Sequence, residues 1–286
     1  MVRGDNSKKQ VAFAVLGPSG TFSDVALEKY ASAAKGGISP KRLFFKSLPE
    51  VFDAVESGIA QKAVAPVENA LGGTIYTTLD RLYSSDLCAE AEVLVVVSYC
   101  VARLKGAKPP VEKIFGHPQA FEQCRNYLNE RFPNAVRISS PSNVQALKDL
   151  AASNDGTAAA LGPEKQAKAL GLQIIARNAE DAAYNVTRFF VIGTSPTKPT
   201  GNDRTSLVVE PSANRKGILH EILGEFSSRG INLSKVESRP SRRKLGEYVF
   251  FIDFEGHQSD EGAKAALEAV SKIAKVKILG SYPREY

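Results

Sequence analysis

Four short stretches of this chain place polar side chains where an apolar run ends, the point at which a strand gives way to a loop or helix. GPSGTFS (Gly17–Ser23) offers glycines for a tight turn together with the hydroxyls of Thr21 and Ser23. With the free N–H groups of a following helix it suits a carboxylate or phosphate; a plain strand-to-helix turn with an N-cap fits it equally. PVENALGGT (Pro66–Thr74) ends an apolar run on Glu68 and Asn69, a carboxylate and an amide able to orient a substrate or to cap the next helix. HPQAFEQC (His117–Cys124) opens a helix with Pro118 in its first turn, and Gln119 and Gln123 share a face. The single His117 there reads as an exposed or capping group rather than a base. YNVTRFFVIG (Tyr184–Gly193) sets Asn185, Thr187 and Arg188 just ahead of the apolar run Phe189–Ile192. An arginine at such an edge suits bidentate carboxylate binding or a surface ion pair.

Other chemistries are excluded by the same inventory. The glycine loop lacks the terminal Gly-Lys-Ser/Thr of a nucleotide-binding P-loop and is not the dinucleotide fingerprint. Cys88, Cys100 and Cys124 show no Cys-x-x-Cys spacing, and the three histidines are isolated, so neither a metal nor a disulfide framework is expected. No Ser/His/Asp order, paired-carboxylate motif or catalytic lysine stands out, which leaves covalent catalysis little support. The net charge of +6 is spread evenly, with 14 cations against 11 anions in residues 204–286 and 23 against 20 before them. That balance permits anionic small substrates without pointing to nucleic acid. The basic run Arg239–Lys244 has no interleaved aromatics and reads as a solvated loop. Met1–Gln10 lacks the apolar core of a signal peptide, and Val93–Val101 is too short to span a membrane. A cytoplasmic, soluble protein is expected.

The elements that must position these groups alternate in type. Val11–Leu16, Arg42–Phe45 and Lys62–Val67 read as strands, separated by helices over Phe22–Ala33 and Leu48–Ser57, with Ser47 and Glu50 forming a capping box. The apolar run Val93–Val101 reads as one long strand crossing to a second lobe. There Ile114–Gly116, Ala135–Ile138 and Thr157–Leu161 are strands, and Gln119–Arg131 and Asn143–Ala152 are helices. Ile174–Ile192 is expected to return to the first lobe. Two α/β lobes of this kind hold a ligand cleft between them, near strand C-termini. TSPTKPTGND (Thr194–Asp203) reads as a linker. Beyond it the order βαββαβ predicts a ferredoxin-like split unit, with helices over Gly217–Arg229 and Gln258–Ala274.

GPSGTFS, PVENALGGT, HPQAFEQC and NVTRF occur in one order, and together they resemble the prephenate dehydratase family and its close relative arogenate dehydratase. The C-terminal part resembles that family's ACT regulatory domain, through GILHEIL (Gly217–Leu223) and VESRP (Val236–Pro240). The resemblance implies an α/β, two-lobed, periplasmic-binding-protein-like (type 2) catalytic module over 10–193, a linker over 194–203 and a ferredoxin-like ACT domain over 204–286. It implies a lyase converting prephenate to phenylpyruvate with loss of carbon dioxide and water, without a cofactor. Catalytic roles carry over to Thr187, Asn69 and Gln123, and substrate binding to Thr21, Ser23, Glu68, Arg188 and Phe189. Phenylalanine, as effector, is expected at Gly217, Ile218, Leu219, Asn232, Leu233, Glu237, Ser238, Arg239 and Pro240. ACT domains of the family pair, so a homodimer or homotetramer is implied.

Two positions depart from the family pattern. Ala70 stands where Ser or Thr is usual, which bears on substrate preference, and Ile218 replaces the common Ala of the effector motif, which bears on phenylalanine sensitivity. Three other functions compete with the leading one. Arogenate differs from prephenate only by an amine for the keto group. The intact Thr187-Arg188-Phe189 argues against a prephenate decarboxylase, and the joint presence of Asn69, Gln123 and Thr187 argues against a non-enzymatic amino-acid sensor.

Overall fold

A computed structural model describes residues 9–34, 37–108, 110–241 and 246–285. Arg242–Lys244 of the basic run and Met1–Lys8 of the N-terminal segment therefore lie outside the described residues. The chain divides into two compact units, Met1–Tyr76 with Leu94–Phe189, and Thr77–Val93 with Phe190–Tyr286.

The first unit starts with β1 (Lys9–Leu16), α1 (Phe22–Ala33), β2 (Ile38–Phe45), α2 (Leu48–Glu56), β3 (Lys62–Asn69) and β4 (Gly73–Thr74). Phe13, Ala14 and Val15 of β1 are fully buried, as a parallel strand covered on both faces requires. β1 pairs in parallel with both β2 and β3. The capping box at α2 forms: the Ser47 hydroxyl accepts from the Glu50 N–H, and the Glu50 carboxylate reaches back to the Lys46 N–H. In chain order α3 (Tyr76–Ser84) and β5 (Cys88–Val96) follow, with 77–93 belonging to the second unit, and then β6 (Cys100–Arg103) in the first. Val93–Val101 is thus two strands in different sheets, not one. Both are apolar because both enter cores, and the polar Ser98 sits where the chain turns from one to the other. There the Val97 N–H donates to the Asn185 carbonyl and the Tyr99 N–H to the Glu180 carboxylate.

The second lobe contains β7 (Lys113–Gly116), α4 (Pro118–Gln123), α5 (Arg125–Arg131), β8 (Val136–Ser139), α6 (Asn143–Ser153), β9 (Ala158–Gly162), α7 (Glu164–Ala169) and β10 (Gln173–Ala176). Its sheet order is β10-β6-β9-β7-β8. Every residue of β9 is buried, and its small side chains let α6 pack closely. The expected helix Gln119–Arg131 is broken at Cys124, whose backbone leaves helical geometry. Asp181, distant in sequence, causes the restart: its carboxylate accepts the Asn126 and Tyr127 N–H groups, capping α5 from outside. β11 (Val186–Gly193) returns to the first sheet, whose order is β2-β1-β3-β11-β5 with β4 on β3. The return is made by β11 alone, since β10 stays in the second sheet.

The second unit is completed by β12 (Asp203–Pro211), α8 (Ile218–Ser227), β13 (Leu233–Pro240), β14 (Tyr248–Glu255), α9 (Glu261–Val270) and β15 (Ala274–Pro283). The order β13-β14-β12-β15 and the antiparallel pairings are those of the ferredoxin-like split unit. α9 is shorter than expected because residues 257–260 form a turn in which the Asp260 carboxylate accepts the His257 N–H. One sheet face packs on the two helices through Leu207, Ile222, Phe226, Ile252 and Phe254. The other carries the 77–93 segment. Tyr83 stacks edge-on against Phe251 and donates to Glu210, Lys277 donates to the Tyr83 and Ser85 carbonyls, and Glu92 pairs with Arg204 at 2.6 Å. Arg239 of β13 pairs with Asp80 of α3. Residues 194–203 bond onto the same unit through Thr197, which donates to the Ser281 carbonyl, and are held internally by Thr200, which donates to the Asp203 carboxylate.

A Cβ at Gly280 would collide with the backbone carbonyl of Ala89 in β5. Gly280→Ala should therefore cost about 1–3 kcal/mol. Urea unfolding should show this as a lower midpoint at unchanged slope, and an unchanged midpoint would mean that β5 does not pack closely on β15.

Candidate active site

Asn69 closes β3, and its Oδ1 accepts the N–H groups of Leu71 (3.1 Å) and Gly72 (2.7 Å) in an Asx turn. It therefore caps its own loop and not the next helix. Backbone N–H groups can only donate, so the oxygen of this amide is fixed on their side and Nδ2 must face the other way. On that side lie Asn185 Oδ1 at 2.9 Å and Thr187 Oγ1 at 2.9 Å. Gln123, the last residue of α4, donates Nε2 to Asn69 Oδ1 at 3.2 Å and accepts Asn185 Nδ2 on its Oε1 at 3.1 Å. Three amides thus close a ring of one-way hydrogen bonds. Asn69, Gln123, Asn185 and Thr187 are 5%, 9%, 2% and 7% exposed. Because Thr187 Oγ1 is the acceptor in its bond with Asn69, its own proton is turned away from that amide and is available to a bound group.

The helix that brings Gln123 also brings a second surface. His117 caps α4, accepting the Gln119 N–H on Nδ1, which leaves the ring proton of the neutral form on Nε2. Burial lowers its pKa below the ordinary value. His117 lines a cavity of about 240 Å³ with Thr21, Phe22, Lys46, Ser142 and Asn143. Residues at the N-termini of α1 and α6 line it together with Lys46. Helix N-termini and a cation together make a site for a carboxylate. Across the six residues of α4, about 9 Å at 1.5 Å per residue, this wall is joined to the amide ring. Gly72 lies under Gln119, where a Cβ would come within 2.8 Å of that side chain's nitrogen.

The other expected site residues are placed as follows. Thr21 borders the cavity but spends its hydroxyl proton on the Leu16 carbonyl, stabilising the glycine loop. Ser23 is buried in α1. Arg188 is paired with Glu68 at 2.8 Å, and Phe189 is sunk into the core. In the second unit Ile218 lines a 250 Å³ cavity with Asn214, Ser241, Tyr248 and Phe250. Gly217 is the left-handed N-cap of α8, Leu219 packs on that unit's core, and the Asn232 carbonyl accepts the Glu255 N–H. Leu233, Glu237 and Arg239 alternate along β13 with the exposed Ser238 and Pro240, so the expected effector residues fall on both faces of that strand. Sequence reasoning gave no role to Asn185, Lys46 or Asn143. Asn185 stands two residues before Thr187, and such a pair shares a side in extended chain. Lys46 directly follows β2, at the strand C-terminus where open α/β sheets bind ligands.

Residues 13–197 match the family model described as prephenate dehydratase, and residues 212–272 match that of the ACT domain. The chain is 39% identical over 279 residues to the bifunctional chorismate mutase/prephenate dehydratase of Neisseria gonorrhoeae, covering 96% of this chain and 75% of that one. It is 35% identical to the prephenate dehydratase of Mycolicibacterium smegmatis, over 95% and 90% of the two chains. Among solved structures, the Arthrobacter aurescens prephenate dehydratase in complex with L-Phe superposes with a TM-score of 0.85 at 32% identity, over 96% of this chain and 90% of that one.

His117 is half-buried, which favours its neutral form, so the unfolded chain binds a proton first as pH falls. The stability it contributes is full above the ordinary histidine range and is lost as pH drops through that range. His117→Asn keeps a cap acceptor. It should flatten the fall in unfolding free energy between pH 7.5 and 5.5, and a fall as steep as the parent's would show that His117 is not its source.

Proposed function

The chain belongs to the prephenate dehydratase family and carries an ACT domain, and from that membership we propose that it converts prephenate to phenylpyruvate under phenylalanine control. The bond between the ring and its carboxylate breaks, the electron pair enters the ring, and the opposite C–O bond breaks as the ring becomes aromatic. Carbon dioxide leaves from one end. From the other the hydroxyl gains a proton and leaves as water. Aromatisation supplies the driving force, so no electron-sink cofactor is called for.

The observation that carries the assignment of roles is the direction of the Asn69–Thr187 hydrogen bond. A threonine hydroxyl is too weak an acid to protonate a leaving group outright at neutral pH. With its oxygen held by Asn69 Nδ2 at 2.9 Å, it can aim its proton at the departing oxygen while Asn69 stabilises charge that accumulates behind it. Such preoriented neutral donors gain strength in a closed, dry cleft. The pyruvyl carboxylate would sit in the cavity beside Lys46 and the α1 and α6 N-termini. Arg188, already neutralised by Glu68, would brace the strand rather than receive the anion. Phenylalanine would act at the ACT domain, and the chain would work as a cytoplasmic homodimer or homotetramer. The L-Phe complex of the Arthrobacter aurescens relative supports the effector's identity.

Purified protein should form phenylpyruvate from prephenate, and added phenylalanine should alter the rate. Thr187→Ala should lower kcat on the order of 10²–10³ with a small change in KM. Near-parental turnover by that variant would sink the assignment of Thr187. Turnover of arogenate alone would keep the mechanism and change the substrate.

A further inference from the structure

Asn185 is 2% exposed and reaches no open surface, yet it forms two of the three bonds in the amide ring. Its backbone is fixed independently, because its carbonyl accepts the Val97 N–H at 2.8 Å on the segment that crosses between the sheets. Asn69 Nδ2 has two hydrogens. One is taken by Asn185 Oδ1 at 2.9 Å, and the other goes to Thr187 Oγ1 at 2.9 Å, with the Val186 carbonyl a longer partner at 3.4 Å. Asn185 Nδ2 in turn holds Gln123 Oε1, so that Gln123 must present Nε2 to Asn69. No bond of the ring can be reversed alone, since each reversal would set two oxygens or two NH₂ groups face to face. Reversing the whole ring would turn the Asn69 NH₂ toward the Leu71 and Gly72 N–H groups.

We propose that Asn185 is a positioning residue for the dehydration: by accepting from Asn69 and donating to Gln123, it locks both amides in the polarity that the Leu71 and Gly72 N–H groups set, and thereby holds the Thr187 proton toward the substrate. This rests on the reading that Thr187 acts on the leaving hydroxyl. A purely space-filling residue at 185 would need the right volume; this role needs one acceptor and one donor in a fixed order. Aspartate separates the two requirements. Ionised, it accepts on both oxygens and opposes Gln123 Oε1, whereas protonated it accepts on one oxygen and donates from the other, as asparagine does. A carboxyl in such a buried place titrates above the ordinary carboxylate range.

The test is the pH profile of kcat for Asn185→Asp from pH 5 to 9, beside a double-mutant cycle of Asn185→Ala with Thr187→Ala on the full chain. Thermal unfolding and KM are measured for each variant. Asn185→Asp should lose turnover as pH rises, on the order of tenfold to a hundredfold relative to the parent profile. That limb should be absent from Asn185→Ala, which is impaired throughout. In the Thr187→Ala background, Asn185→Ala should add little, because both act through one hydroxyl. An Asn185→Asp profile parallel to the parent's overturns the proposal. So does an Asn185→Ala effect that is fully additive with Thr187→Ala, and the cycle decides even if the aspartate variant fails to fold. Near-parental kcat for Thr187→Ala overturns the Thr187 reading, and the proposal with it.

Discussion

The side-chain oxygen of Asn69 receives three N–H groups, two from the backbone that follows it and one from Gln123. A buried polar group left without partners costs several kcal/mol, whereas a fully satisfied network holds a unique geometry. Much of the first unit is arranged to meet that condition. β3 and β11 must be neighbours so that Asn69 can reach Thr187. α4 must stop at Gln123, and the chain crossing between the sheets at Val97 must hold Asn185. None of these is a strong interaction alone, but each removes a way in which the four polar side chains could rearrange.

On the proposed reading, anion binding falls at a different place from the one expected at Arg188. Charge lies at the cavity lined by Lys46 and His117, while the buried ring contributes neutral, oriented dipoles. A reaction that expels a carboxylate as carbon dioxide gains nothing from a cation that stabilises that carboxylate in the ground state. The pairing of Arg188 with Glu68 keeps its charge compensated close to the ring.

What could be read from the sequence was what is local. The Ser47–Glu50 capping box, the His117 cap and the alternation of strands with helices all depend on residues within a few positions of one another. So does the βαββαβ order. The break at Cys124 was invisible because its cause, Asp181, lies 57 residues on; the split of Val93–Val101 was invisible because two buried strands in succession look like one. The 17 residues from Thr77 to Val93 carried no sign that they join the C-terminal sheet. The family motifs assigned roles to two of the ring's three amides and to Thr187, but the ring's direction comes from the backbone N–H groups of Leu71 and Gly72, which side-chain types alone do not reveal.

That membership of residues 77–93 has a bearing on how such proteins evolve. In sequence the regulatory module begins after a proline-rich linker and looks detachable. In space its sheet uses Tyr83, Ser85 and Glu92 as part of its own covering, and Arg239 of β13 is tied to Asp80, a few residues beyond the Asn69 loop. A recombination event that exchanged only the residues after the linker would place a foreign sheet against a resident helix and strand. The two parts of the gene are therefore expected to diverge together, with the imprint of the regulatory module written in the middle of the catalytic one.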